Sequence, residues 1–359
     1  MSTDILIIGI STFFLSVVFT ILVRRFALAK HIIDEPTHER KQHARSTPLL
    51  GGMAVIVACS IGLLVASPWL VHGYLLWKHL AGVLLGGLII GIGGGLDDRY
   101  NLPPRYQVIA PVLAVVVIVA SGVGIDYVTN PLGGIWRLDV VDITLFRING
   151  LPYSITVFSD VFTVVWLLGM MYTTKFLDGL DGLVSGITVI GMFILFWLSL
   201  SQEVYQPETA GIAFIVGCAF AGFLVLNFHP AKIFLGEAGS LYPGFMLGVL
   251  SIISGGKIAT ALLIMGIPIL DVAWIIVRRL FFEKRSPFAA DRKHLHFRLV
   301  DIGLSQRQAV LVLYTLTAVF GTISLFLESK QKIVAMGVLV FVMVVVAAIV
   351  VRAYRRKSI

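Results

Sequence analysis

Long apolar segments alternate with short polar ones along the whole chain. Many of the apolar segments reach the ~20 residues with which a helix crosses a bilayer. Because lipid offers the backbone no hydrogen-bond partners, these segments are predicted to be helical. The pattern predicts an all-α, polytopic integral membrane protein with about eleven transmembrane helices in a single domain, residues 1–359. The candidate spans are residues 4–28, 49–70, 79–96, 106–124, 160–177, 183–200, 210–228, 239–256, 258–277, 309–327 and 333–351.

The composition and the charge distribution agree with this interpretation. Apolar residues make up 58% of the chain and charged residues 13%. Cys59 and Cys218 lie within apolar segments, so the sequence indicates neither a disulfide nor a cysteine metal site. Most of the Lys and Arg residues behind the net charge of +8 fall in alternate connections and in the C-terminal tail. By the positive-inside rule this predicts a cytosolic C-terminus and an external N-terminus, and it argues against a nucleic-acid partner.

The sequence DGLDGL at residues 178–183 separates two of the spans. Asp178 and Asp181 are three residues apart, which places both carboxylates on one face of a helix. The flanking glycines allow the backbone to bend or to approach a ligand closely. Acids at a membrane boundary are costly, so the pair favours metal, proton or phosphate chemistry. Taken alone, the motif is equally consistent with a polar loop whose glycines make turns.

Further polar clusters are predicted on the same cytosolic side. Acids from three separate connections could hold a hard cation such as Mg²⁺, which prefers oxygen ligands, and Arg and His suit phosphate oxygens. This combination indicates phosphoryl transfer, in which positioning and charge neutralisation supply most of the catalysis. No P-loop motif is present, which argues against nucleoside triphosphate hydrolysis. The residues concerned are Asp97, Asp98, Asp178, Asp181, Glu237, Arg292, His294 and His296.

Each of these signals also has a simpler explanation. The Asp97–Asp98 pair follows a span and could be a solvated helix end, and the histidines lie in a basic loop that could face lipid headgroups. Asp160 and Asp271 could mark the pathway of a transporter, and Pro268 predicts a kink in the span that holds Asp271. A transporter, however, would cluster its acids near the bilayer midplane rather than at one face.

Taken in order, the motifs resemble those of the polyprenyl-phosphate N-acetylhexosamine-1-phosphate transferase superfamily, glycosyltransferase family 4. The resemblance extends over nearly the whole chain, and chance does not explain five motifs in the same order. The matching motifs are PTHERKQH with the following Pro48 and Gly51-Gly52 at residues 36–52, DDRY at 97–100, DGLDGL at 178–183, NFHPAKIFLGEAGS at 227–240 and PFAADRKHLH at 287–296.

The resemblance implies a specific reaction. A UDP-N-acetyl sugar donates its sugar-1-phosphate to polyprenyl (undecaprenyl) phosphate, which releases UMP and forms a lipid-linked diphosphate sugar. Catalytic roles are implied for Asp97, Asp98, Asp178 and Asp181, and a site for Mg²⁺, with Mn²⁺ as a possible alternative, is implied at Asp97, Asp181 and Glu237. The substrate-binding residues that the resemblance implies are Lys175, Asn227, Phe234, Arg292, His294 and His296.

The family pattern also implies individual contacts. Asp97 is expected beside the phosphate of the acceptor, Phe234 is expected to stack on uracil, and Asn227 is expected to bond the polar edge of that base. The lipid tail is expected to enter along an apolar groove that leads to Asp97-Asp98 and is flanked by the Pro268 kink. The enzyme is expected to be a multi-pass protein of the inner cell membrane, with its active site on the cytosolic face and with a homodimer as a possible assembly.

Three positions depart from the family pattern. Lys175 stands where the family has Asn, Glu237 where it has a metal-binding Asp, and Phe297 where it has a further His. Lys175 is expected to bond a carboxylate or a substrate phosphate, because an unpaired cation would repel the metal. The departures leave open an inactive relative that binds its substrates without turnover. The last motif favours the undecaprenyl-phosphate N-acetylglucosamine-1-phosphate branch, and other UDP-N-acetyl sugars, including the MurNAc-pentapeptide nucleotide, are the alternatives.

Overall fold

A computed structural model of the protein describes residues 2–34, 46–130, 134–148, 151–202, 204–255, 258–284 and 293–357. Helices dominate these residues, which confirms the predicted all-α class. Two parts of the predicted site, Arg292 and the basic segment 36–43, lie outside the described residues. The assignment of residues 1–359 to a single domain stays a prediction.

The described residues form fourteen α-helices, and every predicted span coincides with at least one of them. The helices are α1 (Thr3–Ala29), α2 (Gly51–Leu70), α3 (Trp77–Tyr100), α4 (Pro104–Gln107), α5 (Ile109–Ala120), α6 (Val157–Leu177), α7 (Leu183–Leu200), α8 (Pro207–Asn227), α9 (Gly236–Ile253), α10 (Ile258–Ile264), α11 (Gly266–Val277), α12 (Leu295–Asp301), α13 (Gln306–Ser324) and α14 (Ser329–Lys357). A single π-helical turn, Arg278–Phe282, continues α11.

Three short antiparallel strand pairs lie between the helices. One pair lies in the connection between α1 and α2, and the other two lie between α5 and α6. Most of the buried apolar core of the described residues comes from helices, with a few residues from connections, such as Ile125 and Ile233. The pairs are β1 (Ile33–Asp34) with β2 (Thr47–Pro48), β3 (Tyr127–Thr129) with β4 (Ile135–Arg137), and β5 (Asp142–Ile148) with β6 (Leu151–Thr156).

The predicted count of eleven crossings is not confirmed. Within the described residues, eight helices are long and apolar enough to cross a membrane, or nine if α10 and α11 with its π-helical turn form one bent span. The two axes of that pair differ by 78°. The bend confirms the predicted kink, because the Pro268 ring clashes with the carbonyl of Ile264, where α10 ends. Of the remaining predicted spans, α5 has only 12 residues and α9 carries Glu237 and an internal Pro243.

Helix α9 lies at the centre of the helical packing and sets the geometry of the site. Its residues from Ala238 to Ile252 are all buried, and it packs against α2, α3 and α6. A Cβ atom added to Gly52 of α2 would lie 2.1 Å from the Gly239 nitrogen, and one added to Gly94 of α3 would lie 2.2 Å from the Ala238 nitrogen. Glycine at these two positions therefore permits the close approach that brings the start of α9 to the ends of its neighbours.

Replacing Gly52 by Ala tests this close approach. We expect Gly52→Ala to destabilise the protein by about 1–3 kcal/mol, because overpacking forces the backbones of α2 and α9 apart. Gly169→Ala on α6 is the matched control, since nothing lies within 4 Å of its added Cβ atom. Thermal unfolding of the purified protein in detergent should show a lower Tm for Gly52→Ala alone. Equal melting temperatures in the two variants would contradict the packing described here.

Candidate active site

Segments that are far apart in the sequence meet at one end of the helical bundle. The Glu237 backbone N–H donates to Asp98 Oδ1 at 2.9 Å, which joins the start of α9 to the last turn of α3. The Ala231 N–H donates to Asp181 Oδ2 at 3.0 Å, which joins the α8–α9 connection to the α6–α7 connection. The structure thus brings together the predicted acids Asp97, Asp98, Asp178, Asp181 and Glu237.

Asp97 is held by two donors from the segment that follows α3. The Leu102 N–H donates to Asp97 Oδ1 at 2.9 Å, and Gln107 Nε2 donates to the same oxygen at 3.1 Å. Gln107 Oε1 in turn accepts from Lys175 Nζ at 3.2 Å. Gln107 is not among the predicted site residues, although an amide near the start of an apolar span is a sequence signal for a functional position.

Lys175 and Glu237, two of the three positions that depart from the family pattern, form an ion pair. Lys175 Nζ lies 2.5 Å from Glu237 Oε1, and the ring of Tyr172 lies 5.8 Å from the same ammonium. Only 22% of the Lys175 side chain and 13% of the Glu237 side chain are exposed. This contact confirms the expectation that Lys175 bonds a carboxylate.

Asp98 lies against the turn that begins α9. Its Oδ1 atom accepts from the Glu237 N–H, where the helix N-terminus favours negative charge. Its Oδ2 atom is buried and has no hydrogen-bond partner among the described residues. Gly236 has a φ of +70°, and a Cβ atom at this position would lie 2.2 Å from Asp98 Oδ2. Both backbone conformation and space therefore require glycine here.

The two acids of the DGLDGL motif have different surroundings. Asp181 Oδ2 lies 2.7 Å from His229 Nδ1 and accepts from the Ala231 N–H, so it fastens the α8–α9 connection. His229, which belongs to a predicted motif but had no predicted role, is therefore part of the site. Asp178 remains accessible to solvent. Partial removal from bulk water, followed by the charges of Glu237 and Asp181, raises the pKa of Asp178 to about 7.

Asn227 and Phe234 bracket the α8–α9 connection. The buried Asn227 side chain accepts from Ser185 Oγ at 2.6 Å and donates to the Ile233 carbonyl at 3.0 Å. Both polar ends of its amide are thus engaged within the protein, and its contact with uracil stays a prediction. Phe234 is partly exposed, and its backbone bonds to Pro48 and Gly51 tie this connection to the start of α2.

The two histidines of the last motif are buried rather than open to the cleft. His294 Nδ1 lies 2.9 Å from Asp271 Oδ2, and the Leu295 N–H donates to Asp271 Oδ1 at 2.9 Å. The rings of Phe176, His294 and His296 stack, with centroid separations of 6.2 Å and 5.5 Å. Asp271 therefore fixes the start of α12 within the described structure, and the predicted phosphate contacts of both histidines stay predictions.

His296 is 1% exposed, and neither of its ring nitrogens has a partner among the described residues. It packs against the DGLDGL motif, since a Cβ atom on Gly179 would lie 2.3 Å from His296 Nε2. His296 also borders a cavity of about 10 Å³ that Pro268, Asp271 and Thr317 help to line. Burial, followed by the charge of His294, lowers the pKa of His296 to about 3, so the ring is neutral in the folded protein.

A larger apolar groove opens between α3, α4, α5 and α9. Its volume is about 550 Å³, and Asp97, Gln107 and Glu237 lie in its wall. The remaining lining is mostly apolar, and residues such as Ile92 and Leu113 are about half exposed. A groove that reaches Asp97 was expected, but the expected flank at the Pro268 kink is wrong. Pro268 instead borders the small cavity beside His296, which Leu313 and Thr317 of α13 also line.

The arrangement of the acids bears directly on the predicted metal. Among the residues that the structure describes, no group of three or more His, Cys, Asp and Glu side chains could hold a metal ion. Glu237 is paired with Lys175, Asp181 with His229, and Asp97 is held by Gln107. The predicted ligands in this arrangement therefore do not fit a resident Mg²⁺, and metal binding stays a prediction.

Bacterial transferases are similar to this chain over most of its length. A chain of Bacillus subtilis, "Probable undecaprenyl-phosphate N-acetylglucosaminyl 1-phosphate transferase", is 30% identical over 87% of this chain and 82% of its own length. The "Decaprenyl-phosphate N-acetylglucosaminephosphotransferase" of Mycolicibacterium smegmatis is 32% identical over 96% and 88%. The profile of "Glycosyl transferase family 4" matches residues 80–255. The chain belongs to glycosyl transferase family 4.

Membership of glycosyl transferase family 4 accounts for the order of the motifs. The matched region contains the acids from Asp97 to Glu237, whereas His294 and His296 lie beyond it. A third relative, the "Undecaprenyl-phosphate alpha-N-acetylglucosaminyl 1-phosphate transferase" of Escherichia coli, is 28% identical over 91% of this chain and 84% of its own length. Together with the long apolar helices, these relatives identify this family member as a multi-pass membrane protein.

The burial of His296 predicts a dependence of stability on pH. The folded protein keeps His296 neutral to about pH 3, whereas the unfolded chain protonates it near its ordinary pKa of 6.5. The unfolded state therefore gains protons as the pH falls below 6.5, and stability falls by at most ~1.4 kcal/mol per pH unit from this group. We expect the Tm of His296→Phe to fall less than that of the wild type between pH 7.5 and 5.

The control for this experiment is His72→Phe, because His72 is exposed after the end of α2. This variant should keep the pH dependence of the wild type. If His296→Phe and the wild type lost stability equally on acidification, His296 would not be held neutral by its surroundings.

Proposed function

We propose that this family member transfers N-acetylglucosamine-1-phosphate from UDP-N-acetylglucosamine to polyprenyl phosphate. The products are polyprenyl-diphosphate-N-acetylglucosamine and UMP. The observation that carries the proposal is the apolar groove with Asp97, Gln107 and Glu237 in its wall. A groove of this kind suits a lipid whose only charged part is a terminal phosphate. The names of the three relatives support the same acceptor class and the same sugar.

The acceptor enters from within the bilayer. A polyprenyl tail contributes ~0.8 kcal/mol for each methylene that it buries, so its phosphate stays at the depth of the headgroups. The groove side chains Ile92, Leu96 and Leu113 are apolar and about half exposed, as suits contact with such a tail. The phosphate then lies beside Asp97 at the end of α3, where Gln107 orients the Asp97 carboxylate through a hydrogen bond of 3.1 Å.

The reaction exchanges one phosphoanhydride bond for another. An oxygen of the acceptor phosphate attacks the phosphorus that carries the sugar, and the bond from that phosphorus to UMP breaks with its electron pair on UMP. Positioning and charge neutralisation are the main tasks of the protein in such a transfer. Lys175 carries a positive charge at the acidic cluster, where it reduces repulsion between the acids and the phosphates.

N-acetylglucosamine is proposed as the donor sugar because the names of the relatives contain it. Other UDP-N-acetyl sugars, including the MurNAc-pentapeptide nucleotide, are the alternatives, and an assay with each donor distinguishes them. A transporter is less well supported, because the acids converge at one end of the bundle. The excess of Lys and Arg in alternate connections supports a cytosolic active site in the inner cell membrane. The expected Mg²⁺ or Mn²⁺ and a homodimer stay predictions.

A UMP-release assay with polyprenyl phosphate and a panel of UDP-sugars tests the function. We expect Asp97→Asn and Asp181→Asn each to lose roughly 100-fold or more in turnover, because the removed charge acts at the reacting groups. Asp139→Asn, in the connection between β4 and β5, is the matched control and should keep wild-type turnover. The absence of UMP release by the wild type with every donor would refute the proposed activity.

The groove has a separate test. Leu113→Trp should raise the KM for polyprenyl phosphate several-fold, because the larger ring fills space that the tail requires, and should leave the KM for the donor unchanged. Leu64→Trp on α2 is the matched control, since Leu64 is 52% exposed, close to the 49% of Leu113, but lies outside the groove. Equal acceptor KM values for the two variants would show that the acceptor binds elsewhere.

A further inference from the structure

Two of the three departures from the family pattern are in contact with each other. Lys175 lies in the last turn of α6, Glu237 lies in the first turn of α9, and 62 positions separate them in the sequence. Their side chains meet at 2.5 Å. A single substitution of either residue would leave a partly buried charge without its partner, which is costly. The two departures therefore form one structural unit.

The ammonium of Lys175 lies between two branches of the acidic cluster. It bonds Glu237 directly, and through Gln107 it is linked to Asp97. Glu237 in turn donates its backbone N–H to Asp98. The limited exposure of the pair reduces screening by water, so a positive charge at this point acts strongly on the surrounding carboxylates.

This position is where the family pattern places a divalent cation. Glu237 occupies the place of a metal-binding Asp, and the described acids form no group that fits an ion. A divalent ion at Glu237 would have to displace Lys175 or to lie beside its ammonium, and like charges so close repel strongly. Metal and lysine therefore compete for the same carboxylate.

A third N–H of Lys175 is available for a substrate. An ammonium has three donors, and Glu237 and Gln107 account for two of them. The remaining donor lies at the acidic cluster. The carboxylates there repel a phosphate, and the Lys175 ammonium offers its oxygens a positively charged partner. A lysine binds phosphate as a point charge without demanding a fixed geometry.

We propose that Lys175 is the resident cation of this site, which takes the place of a divalent ion at Glu237 in the free protein and binds the diphosphate of the nucleotide donor. The first half of this proposal rests on the contacts of Lys175 with Glu237 and Gln107 and on the metal position that the family pattern implies at Glu237. The second half rests on the proposed function, because it assumes a nucleotide diphosphate as the ligand.

Metal binding by the full-length protein in detergent, without any nucleotide, tests the first half. Mn²⁺ is the probe, and its free concentration is followed by electron paramagnetic resonance. We expect Lys175→Asn to bind Mn²⁺ at least about tenfold more tightly than the wild type. Lys175→Arg keeps the charge and should bind as weakly as the wild type. Lys78→Asn, at the other end of α3, is the control for loss of a lysine and should also match the wild type.

Calorimetric titration with UDP in the presence of a chelator tests the second half. The wild type and Lys175→Arg should bind UDP without metal, whereas Lys175→Asn should lose at least about tenfold in affinity and regain it when Mn²⁺ is added. Two controls separate this loss from misfolding. Thermal unfolding shows whether each variant is folded, and a misfolded variant would not regain UDP binding when Mn²⁺ is added.

The outcomes separate this proposal from the proposed function. Equal Mn²⁺ affinities and equal metal-free UDP affinities in the wild type and Lys175→Asn would overturn the role of Lys175, even if the wild type releases UMP. If the wild type bound no UDP with or without Mn²⁺, the nucleotide half and the proposed function would both fail. A tenfold gain of Mn²⁺ affinity in Lys175→Asn would still support the first half in that case.

Discussion

The need to neutralise carboxylates at the end of a helical bundle governs this structure. Three acids each accept a backbone N–H from a different segment: Asp98 from Glu237, Asp181 from Ala231, and Asp271 from Leu295. An unpartnered carboxylate near lipid is costly, so each bond secures the segment that donates it. The same acids that are expected to act on phosphates thus also assemble the site, and chemistry and architecture share their residues.

Helix α9 transmits this constraint to the core. Its burial and its close contacts with α2 and α3 hold its first turn against the last turn of α3. Helix α9 forms one wall of the groove. The groove reaches the acids because Glu237 lies in that wall. A lipid acceptor and a charged donor can meet at such a point without either leaving the environment that suits it, which is the physical basis of the proposed transfer.

The chain keeps the family's framework and alters its charge at one point. Asp97, Asp98, Asp178 and Asp181 stand where the family pattern has them, whereas Lys175 and Glu237 exchange an amide and a short acid for a cation and a longer acid. Because these two residues are paired, the exchange adds an internal salt bridge rather than a free charge. A family member can therefore retain its fold and its groove while the way in which its phosphates are neutralised changes.

The apolar pattern by itself determined the helical class and the location of the spans, because the length and hydropathy of a segment decide whether it can be a membrane helix. Motif order likewise determined the family and the set of acids. Tertiary structure alone decided that Lys175 meets Glu237, that Gln107 holds Asp97, and that His296 is buried and neutral. Among the described residues it also gives eight or nine helices that could cross a membrane, because α10 and α11 are bent before Pro268 and α5 is short, so the predicted eleven crossings are not confirmed. These features depend on contacts between residues tens of positions apart, and periodicity along the chain carries no information about which distant side chains will pair.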